Sequence, residues 1–193
     1  MNVSYKTSSG INLIPIETER MRHREIYLTG DISSNTALVF FQQIMTLISE
    51  DNTLPIKVFI SSNGGEINAG LQIINTIESS PAPIHTICLG RCFSMAAVIL
   101  ACGKQRYILQ DSEVMLHEPL VAGSSIIGNA SSINSISRTL SERKNRIISI
   151  LSQHTGKTKK IIESAIGYDH YFTADESNAF GITDKTIHSL TDI

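Results

Sequence analysis

In the stretch Gly90-Arg-Cys-Phe-Ser94-Met-Ala-Ala, a serine stands between a β-rich run, Ile84 to Leu89, and an apolar run, Met95 to Cys102. A helix that begins at such a serine offers unpaired backbone N–H groups and the positive end of its dipole. A hydroxyl there can attack a carbonyl while the next N–H receives the developing oxyanion. Serine is also a common helix N-cap, and from this stretch alone the cap is the better reading. Asn63-Gly64-Gly65 is a second feature of the same kind. Paired glycines admit positive φ and close approach of a ligand, so one N–H there can complete an oxyanion hole. Taken alone, it reads as a plain strand-to-helix turn.

A serine nucleophile needs a base, and six histidines are present. His23 lies in a charged stretch, His154 in a helix C-terminal turn and His188 near the tail. His85 opens a strand, and His170 adjoins Asp169. His117 ends the apolar run Val114-Met-Leu-His117 and precedes Glu118-Pro119, where a strand leaves its sheet. Active-site groups often occupy such ends. The third member is a carboxylate that orients the imidazole and stabilises its protonated form. Asp111, Asp169, Asp175 and Asp184 are candidates, and spacing does not choose among them. Thr155-Gly-Lys-Thr158 imitates the end of a phosphate-binding loop, but Leu151 stands where that motif needs glycine. A helix C-cap at Gly156 is the better reading.

The elements that must position these groups can be read from periodicity. Residues 1–22, with Gly10 and Pro15 as breakers, read as a loop or arm. Glu25 to Gly30 reads as a strand and Thr36 to Glu50 as a helix. Ile56 to Ile60 is a strand, with a turn at residues 63–65 and a helix from Ala69 to Ile77. Ile84 to Leu89 is another strand, with a turn at Gly90 and a helix opening near Ser94. Tyr107 to Leu109 and Val114 to His117 are further strands. Residues 120–132 read as a loop and Ile133 to Gln153 as a long helix. A shorter helix spans Thr158 to Ala165, then come a strand at Tyr171-Phe172 and a helix from Ala174. Strand–turn–helix repetition implies an α/β fold with helices packed on a parallel sheet. The chain is expected to form one domain from residue 25 to 193 behind an arm over residues 1–24.

Composition narrows the function. The 193 residues are 41% hydrophobic and 18% charged, with net charge −2, which is ordinary globular composition. No basic surface for nucleic acid or membrane is evident. The start, Met1 to Gly10, lacks an apolar signal core, and Met95 to Cys102 is too short to span a bilayer. A cytoplasmic protein is expected. Cys88, Cys92 and Cys102 are odd in number and in apolar surroundings, which disfavours a disulfide framework. A metal site on Cys88 and Cys92 lacks a fourth ligand, so all three read as buried small hydrophobes.

Four of these segments, in order and spacing, resemble the ClpP family of serine peptidases. FISSNGGEINAG, residues 59–70, is similar to the family's glycine turn, GRCFSMAAVIL to its nucleophile helix and MLHEPL to its histidine segment. YDHYFTADESNAFGITD, residues 168–184, is similar to the segment carrying its aspartate. The resemblance runs from about residue 25 to the end. It implies Ser94 as nucleophile, His117 as general base and Asp169 as its orienting partner. It implies an oxyanion hole from the N–H groups of Gly65 and Met95. An unfolded polypeptide would bind as an added strand along Gly64, Glu66, Ile67 and Leu120, with glycines at 64–65 and 123–128 flanking it.

The implied fold is a crotonase-like α/β spiral with a protruding handle helix at about 133–153. The implied assembly is two stacked rings of seven subunits, a tetradecamer, fed by a hexameric AAA+ ATPase that uses the ATP. The subunit itself would need no cofactor or metal. Asn63 stands where proline is usual, Tyr168 where arginine is usual in ring-to-ring contacts, and Lys57 where an aromatic residue is common on the ATPase-docking face. The loop after His117 is longer than usual. These departures point to a divergent paralogue that works with a second ClpP subunit. Two alternatives remain open from sequence. One is a structural or partner-activated subunit with a misaligned triad. The other is a crotonase-like acyl-CoA enzyme, which leaves Ser94, His117 and Asp169 unexplained.

Overall fold

In the computed structural model, residues 1–8, 10–120 and 129–193 are described. Strand β1 (Asn2–Thr7) and strand β2 (Gly10–Pro15) form an antiparallel hairpin, followed by helix α1 (Ile16–Arg22). The segment expected to be a loop or arm is thus built from a hairpin and a short helix. Val3 and Tyr5 alternate with exposed residues, and Val3 pairs with Ile14. That short period-two signal was outweighed by the flanking serines and lysine. Arg22 lies 3.9 Å from the centre of the Tyr5 ring and donates to its hydroxyl at 2.5 Å, tying α1 to the hairpin.

The main sheet starts with β3 (Glu25–Ile32), β4 (Ile56–Gly65) and β5 (Ile84–Phe93), paired in parallel, and continues to β6 (Gln105–Leu109). Helix α2 (Ser34–Glu50) connects β3 to β4, and α3 (Ile67–Ser79) connects β4 to β5. On α2, Ala37, Phe40, Ile44 and Leu47 are buried, three or four residues apart, so one stripe faces the sheet. On α3, Ile73, Ile74 and Ile77 do the same. Each buried isoleucine, leucine or phenylalanine in these stripes contributes about 1.5–3 kcal/mol. Helix α4 (Met95–Ala101) is buried at every position and packs against β4 and β5. An all-apolar helix of this kind belongs inside the core.

Two expected turns prove to be strand. β4 runs on through Asn63-Gly64-Gly65, with Asp31 opposite Gly64 and Ile32 opposite Gly65. β5 runs past Gly90, because residues 91–93 leave β6 and pair with β7 (Glu113–Leu116). A register irregularity between Ile60 and Ser62 accommodates the change.

The long helix α5 spans Ala130–Thr155, so residues 130–132, read as loop, are its first turn. Asn129 caps it by accepting from the Ser132 N–H, a signal hidden in a Ser- and Gly-rich stretch. Gly156, at φ +71°, ends it as expected. Helix α6 (Lys159–Ile166), strand β8 (His170–Phe172), helix α7 (Ala174–Phe180) and strand β9 (Lys185–Ile187) complete the mainly parallel sheet with its helices. This is the crotonase-like α/β architecture. Only β8 pairs antiparallel, with β7, among the described strands of this sheet. Among the described residues, no helix is long and apolar enough to cross a membrane.

Candidate active site

Three strand ends converge on Ser94. At the end of β4, Gly64 has φ +98° and Gly65 φ +151°. A Cβ on Gly65 would lie 2.2 Å from the Ile32 carbonyl oxygen. A Cβ on Gly64 would lie 2.8 Å from both the Phe93 carbonyl oxygen and Ser94 Cβ, and 3.1 Å from the Met95 nitrogen. Both positions thus require glycine for space as well as for φ. The Gly64 N–H donates to Ser62 Oγ at 3.0 Å, and that hydroxyl donates to the Gly30 carbonyl. From the other side, Phe93 pairs with Met115 of β7, and the Ser94 N–H donates to the Met115 carbonyl at 2.8 Å.

Ser94 itself is held at φ +54°, ψ −124°. A non-glycine residue there stores on the order of 1–3 kcal/mol, a cost that clusters at functional sites. Its side chain makes no capping bond to α4, so the cap favoured by the isolated stretch is not what the hydroxyl does. Ser94 Oγ instead lies 2.8 Å from His117 Nε2. That contact has ordinary hydrogen-bond length.

His117 follows the last residue of β7. The antiparallel register sets Leu116 opposite His170, so the residue before β8, Asp169, comes beside His117. Asp169 Oδ1 lies 3.5 Å from His117 Nδ1. The imidazole is 20% exposed and the carboxylate 64%, so one end of this relay is shielded and the other is wet.

The remaining candidates lie elsewhere in the fold. Asp184 accepts three hydrogen bonds from Arg106, two at 2.9 and 3.0 Å and a shorter one at Oδ1. Burial pushes its carboxyl up, but the Arg106 hydrogen bonds and charge outweigh this and hold it below the usual range. Asp175 lies in the first turn of α7, and Asp111 lies in the turn after β6. His85 packs 6.3 Å from Tyr107, and burial, reinforced by Lys57, lowers its pKa. His154 bonds Glu78 at 2.9 Å. The His170 ring stacks between those of Tyr168 and Phe172, at 5.3 and 4.1 Å. Tyr168 is exposed, and Lys57 Nζ donates to the Ile193 carbonyl at 2.8 Å.

A cleft of about 550 Å³ opens over Ser94 and His117, lined by Gly65, Glu66, Ile67 and Leu120 as well. Gly64 is buried behind it, and the Met95 side chain is buried in the core with its nitrogen at the head of α4. A small apolar recess of about 20 Å³ adjoins Ser94 between Ile67, Val98, Ile147 and Leu151. The expected flank at 123–128 lies outside the described residues.

Arg143 also lines the cleft and was not anticipated. Its signal was available: it precedes the buried Ile147 and Leu151 by four and eight residues, on the same face of α5. Lys144 beside it bonds Glu118 at 2.8 Å, joining the helix to the segment after His117. This hydrogen bond and the Glu118 charge raise the lysine pKa against a smaller desolvation effect. A larger cavity of about 660 Å³, between Glu78 and Asp184, contains none of Ser94, His117 and Asp169.

Comparison with known families finds a match to the one described as Clp protease over residues 11–189 of this chain. The match begins within β2, upstream of Glu25, where the motif resemblance starts.

Proposed function

The chain belongs to the Clp protease family, and from that membership we propose that it is a serine endopeptidase subunit cleaving unfolded polypeptides through an acyl-enzyme. Ser94 is the nucleophile, His117 the general base and Asp169 the group that orients the imidazole. The observation that carries this reading is the 2.8 Å Ser94 Oγ–His117 Nε2 contact on a serine held at positive φ.

The substrate strand lies along Gly65, Glu66, Ile67 and Leu120, which line the cleft, with the buried Gly64 behind them and not in reach of it, and is recognised chiefly by its backbone. Attack by Ser94 Oγ passes the hydroxyl proton to His117 Nε2. Negative charge on the carbonyl oxygen is received by the N–H groups of Gly65 and Met95. Met95 stands at the first position of α4, where the helix leaves its N–H groups without intrahelical acceptors. His117 then protonates the leaving amine and activates the water that releases the acyl group. No step calls for a metal or nucleotide in this subunit.

Clp proteases generally form rings that work with AAA+ ATPases. For this chain we take the partners to be further copies in two stacked seven-membered rings, with an ATP-consuming hexameric unfoldase and the cytoplasm as setting. Exposed Leu38, Val39, Phe41 and Met45 on α2, and Ile133 and Ile136 on α5, support self-association.

A second reading is a subunit whose triad is tightened by a partner ClpP paralogue. The 3.5 Å Asp169–His117 distance and the exposed Tyr168 favour it. The acyl-CoA reading gives the Ser94–His117 contact no task. The test is hydrolysis of an unfolded protein and of short peptides by the assembled chain. Peptide cleavage that disappears in Ser94→Ala is expected. Equal cleavage by both proteins refutes the assignment, and cleavage only after a second subunit is added selects the second reading.

A further inference from the structure

The large cavity away from Ser94 has an unusual wall. Glu78, Cys102 and His154 each offer one ligand atom, and these atoms all lie within 4.8 Å of one another. Each comes from a different helix end. Glu78 is in the last turn of α3, Cys102 is the C-cap of α4 and His154 is in the last turn of α5. Helix C-termini carry partial negative charge, so three of them converging favour a cation. Arg106 already shows this preference: it donates to the carbonyls of Ala101, His154 and Gly181 at 3.4, 2.8 and 2.7 Å. Its own charge is matched by Asp184.

We propose that Glu78, Cys102 and His154 form a binding site for a zinc-like divalent cation. Thiolate with imidazole selects zinc-class metals over magnesium or calcium. Bond lengths of about 2.0–2.3 Å at tetrahedral angles place ligand atoms roughly 3.3–3.7 Å apart. The Glu78–His154 pair, now at 2.9 Å, must open slightly, and the sulfur, within 4.8 Å of both, must close by at most roughly 1.1–1.5 Å to reach that spacing.

Charge also balances. One thiolate, one carboxylate and one neutral imidazole cancel a divalent ion, which suits a buried sulfur. The Cys102 thiol now donates to the Val98 carbonyl at 3.1 Å and releases that proton on binding. The His154–Glu78 hydrogen bond is exchanged for two metal bonds. The fourth position faces the cavity, which also contains Lys104, and takes water or an external ligand.

The test is zinc titration of the full assembled chain against a chromophoric chelator, with cobalt(II) absorption as a second readout. One zinc per chain is expected, with a thiolate-to-cobalt charge-transfer band. Cys102→Ser should remove that band, and both it and His154→Gln should weaken zinc binding at least ~100-fold. His154 is only partly buried, so its variant keeps the test open should the cysteine variant not fold. Cys88→Ser should bind as wild type. Binding below one zinc per chain, or equal binding by His154→Gln, overturns the site.

Discussion

Gly64→Ala tests whether the close approach of β4 to the nucleophile is what positions it. The new Cβ would lie 2.8 Å from Ser94 Cβ and from the Phe93 carbonyl, against an ordinary contact that begins at 3.4 Å. Ser94 must therefore retreat by about 0.6 Å. A 1 Å misplacement costs on the order of 100-fold in rate, so roughly tenfold is expected here. The positive φ adds about 1–2 kcal/mol of destabilisation, and the overlap about as much again.

Gly30→Ala separates the two effects, because Gly30 also has positive φ, +74°, but its Cβ would meet nothing within 4 Å. Denaturant melts give the stability losses, and the second-order rate of fluorophosphonate labelling reads the serine. The expected pattern is a φ penalty alone in Gly30→Ala with labelling unchanged, and a larger loss with slower labelling in Gly64→Ala. Labelling of Gly64→Ala at the wild-type rate, with no more destabilisation than Gly30→Ala, refutes the reasoning.

Asp169→Asn should lower kcat for peptide hydrolysis by about 10²–10⁴-fold with little change in KM, as steady-state kinetics would show. Arg24 bonds the carbonyls of Leu47, Asp51, Leu54 and Pro55 and fastens the end of α2 to the loop before β4; Arg24→Ala should cost about 2–4 kcal/mol in denaturant melts. The depressed Asp184 carboxyl contributes stability that is present above its unfolded pKa of about 3.9 and is lost as pH falls through its lower folded value. The stability gap between wild type and Asp184→Asn, followed by urea melts across pH, should therefore be constant near neutrality and shrink below about pH 4.

The architecture was legible where one periodicity persisted. The isoleucine stripe of α3 and the apolar α4 announce themselves in their spacing, whereas on α2 the exposed Leu38, Val39, Phe41 and Met45 share the helical spacing and mask the buried stripe of Ala37, Phe40, Ile44 and Leu47. Glycine misled in two places. Gly90 and the Gly64-Gly65 pair read as turns because glycine breaks most strands, yet here both lie within strands, and the pair approaches other backbone closely. The first hairpin was missed because its faces are too exposed to carry a strong alternation.

At the site, the residue types around Ser94 and His117 were readable. That Asp169, and none of the three other aspartates, comes beside His117 was not readable from spacing, because it depends on the β7–β8 register, a pairing across more than fifty residues. The positive φ of Ser94 was invisible too. It is a property of the folded backbone, where the Ser94 N–H donates to the Met115 carbonyl of β7 and Gly64 leaves room for the Ser94 Cβ. Arg143 carries no chemical signal of its own in the sequence beyond its helical spacing of four and eight residues to Ile147 and Leu151, which marks the core stripe without marking what lies at its edge.

If Ser94 is a nucleophile activated by His117, its reactivity toward a phosphonylating probe depends on that imidazole. The most direct measurement is fluorophosphonate labelling of the assembled protein, with the modified peptide mapped by mass spectrometry, in wild type, Ser94→Ala and His117→Ala. A single phosphonylated residue at Ser94, absent in Ser94→Ala and slowed at least ~1,000-fold in His117→Ala, is predicted. Labelling at another residue, or labelling of Ser94 that is indifferent to the loss of His117, would contradict it.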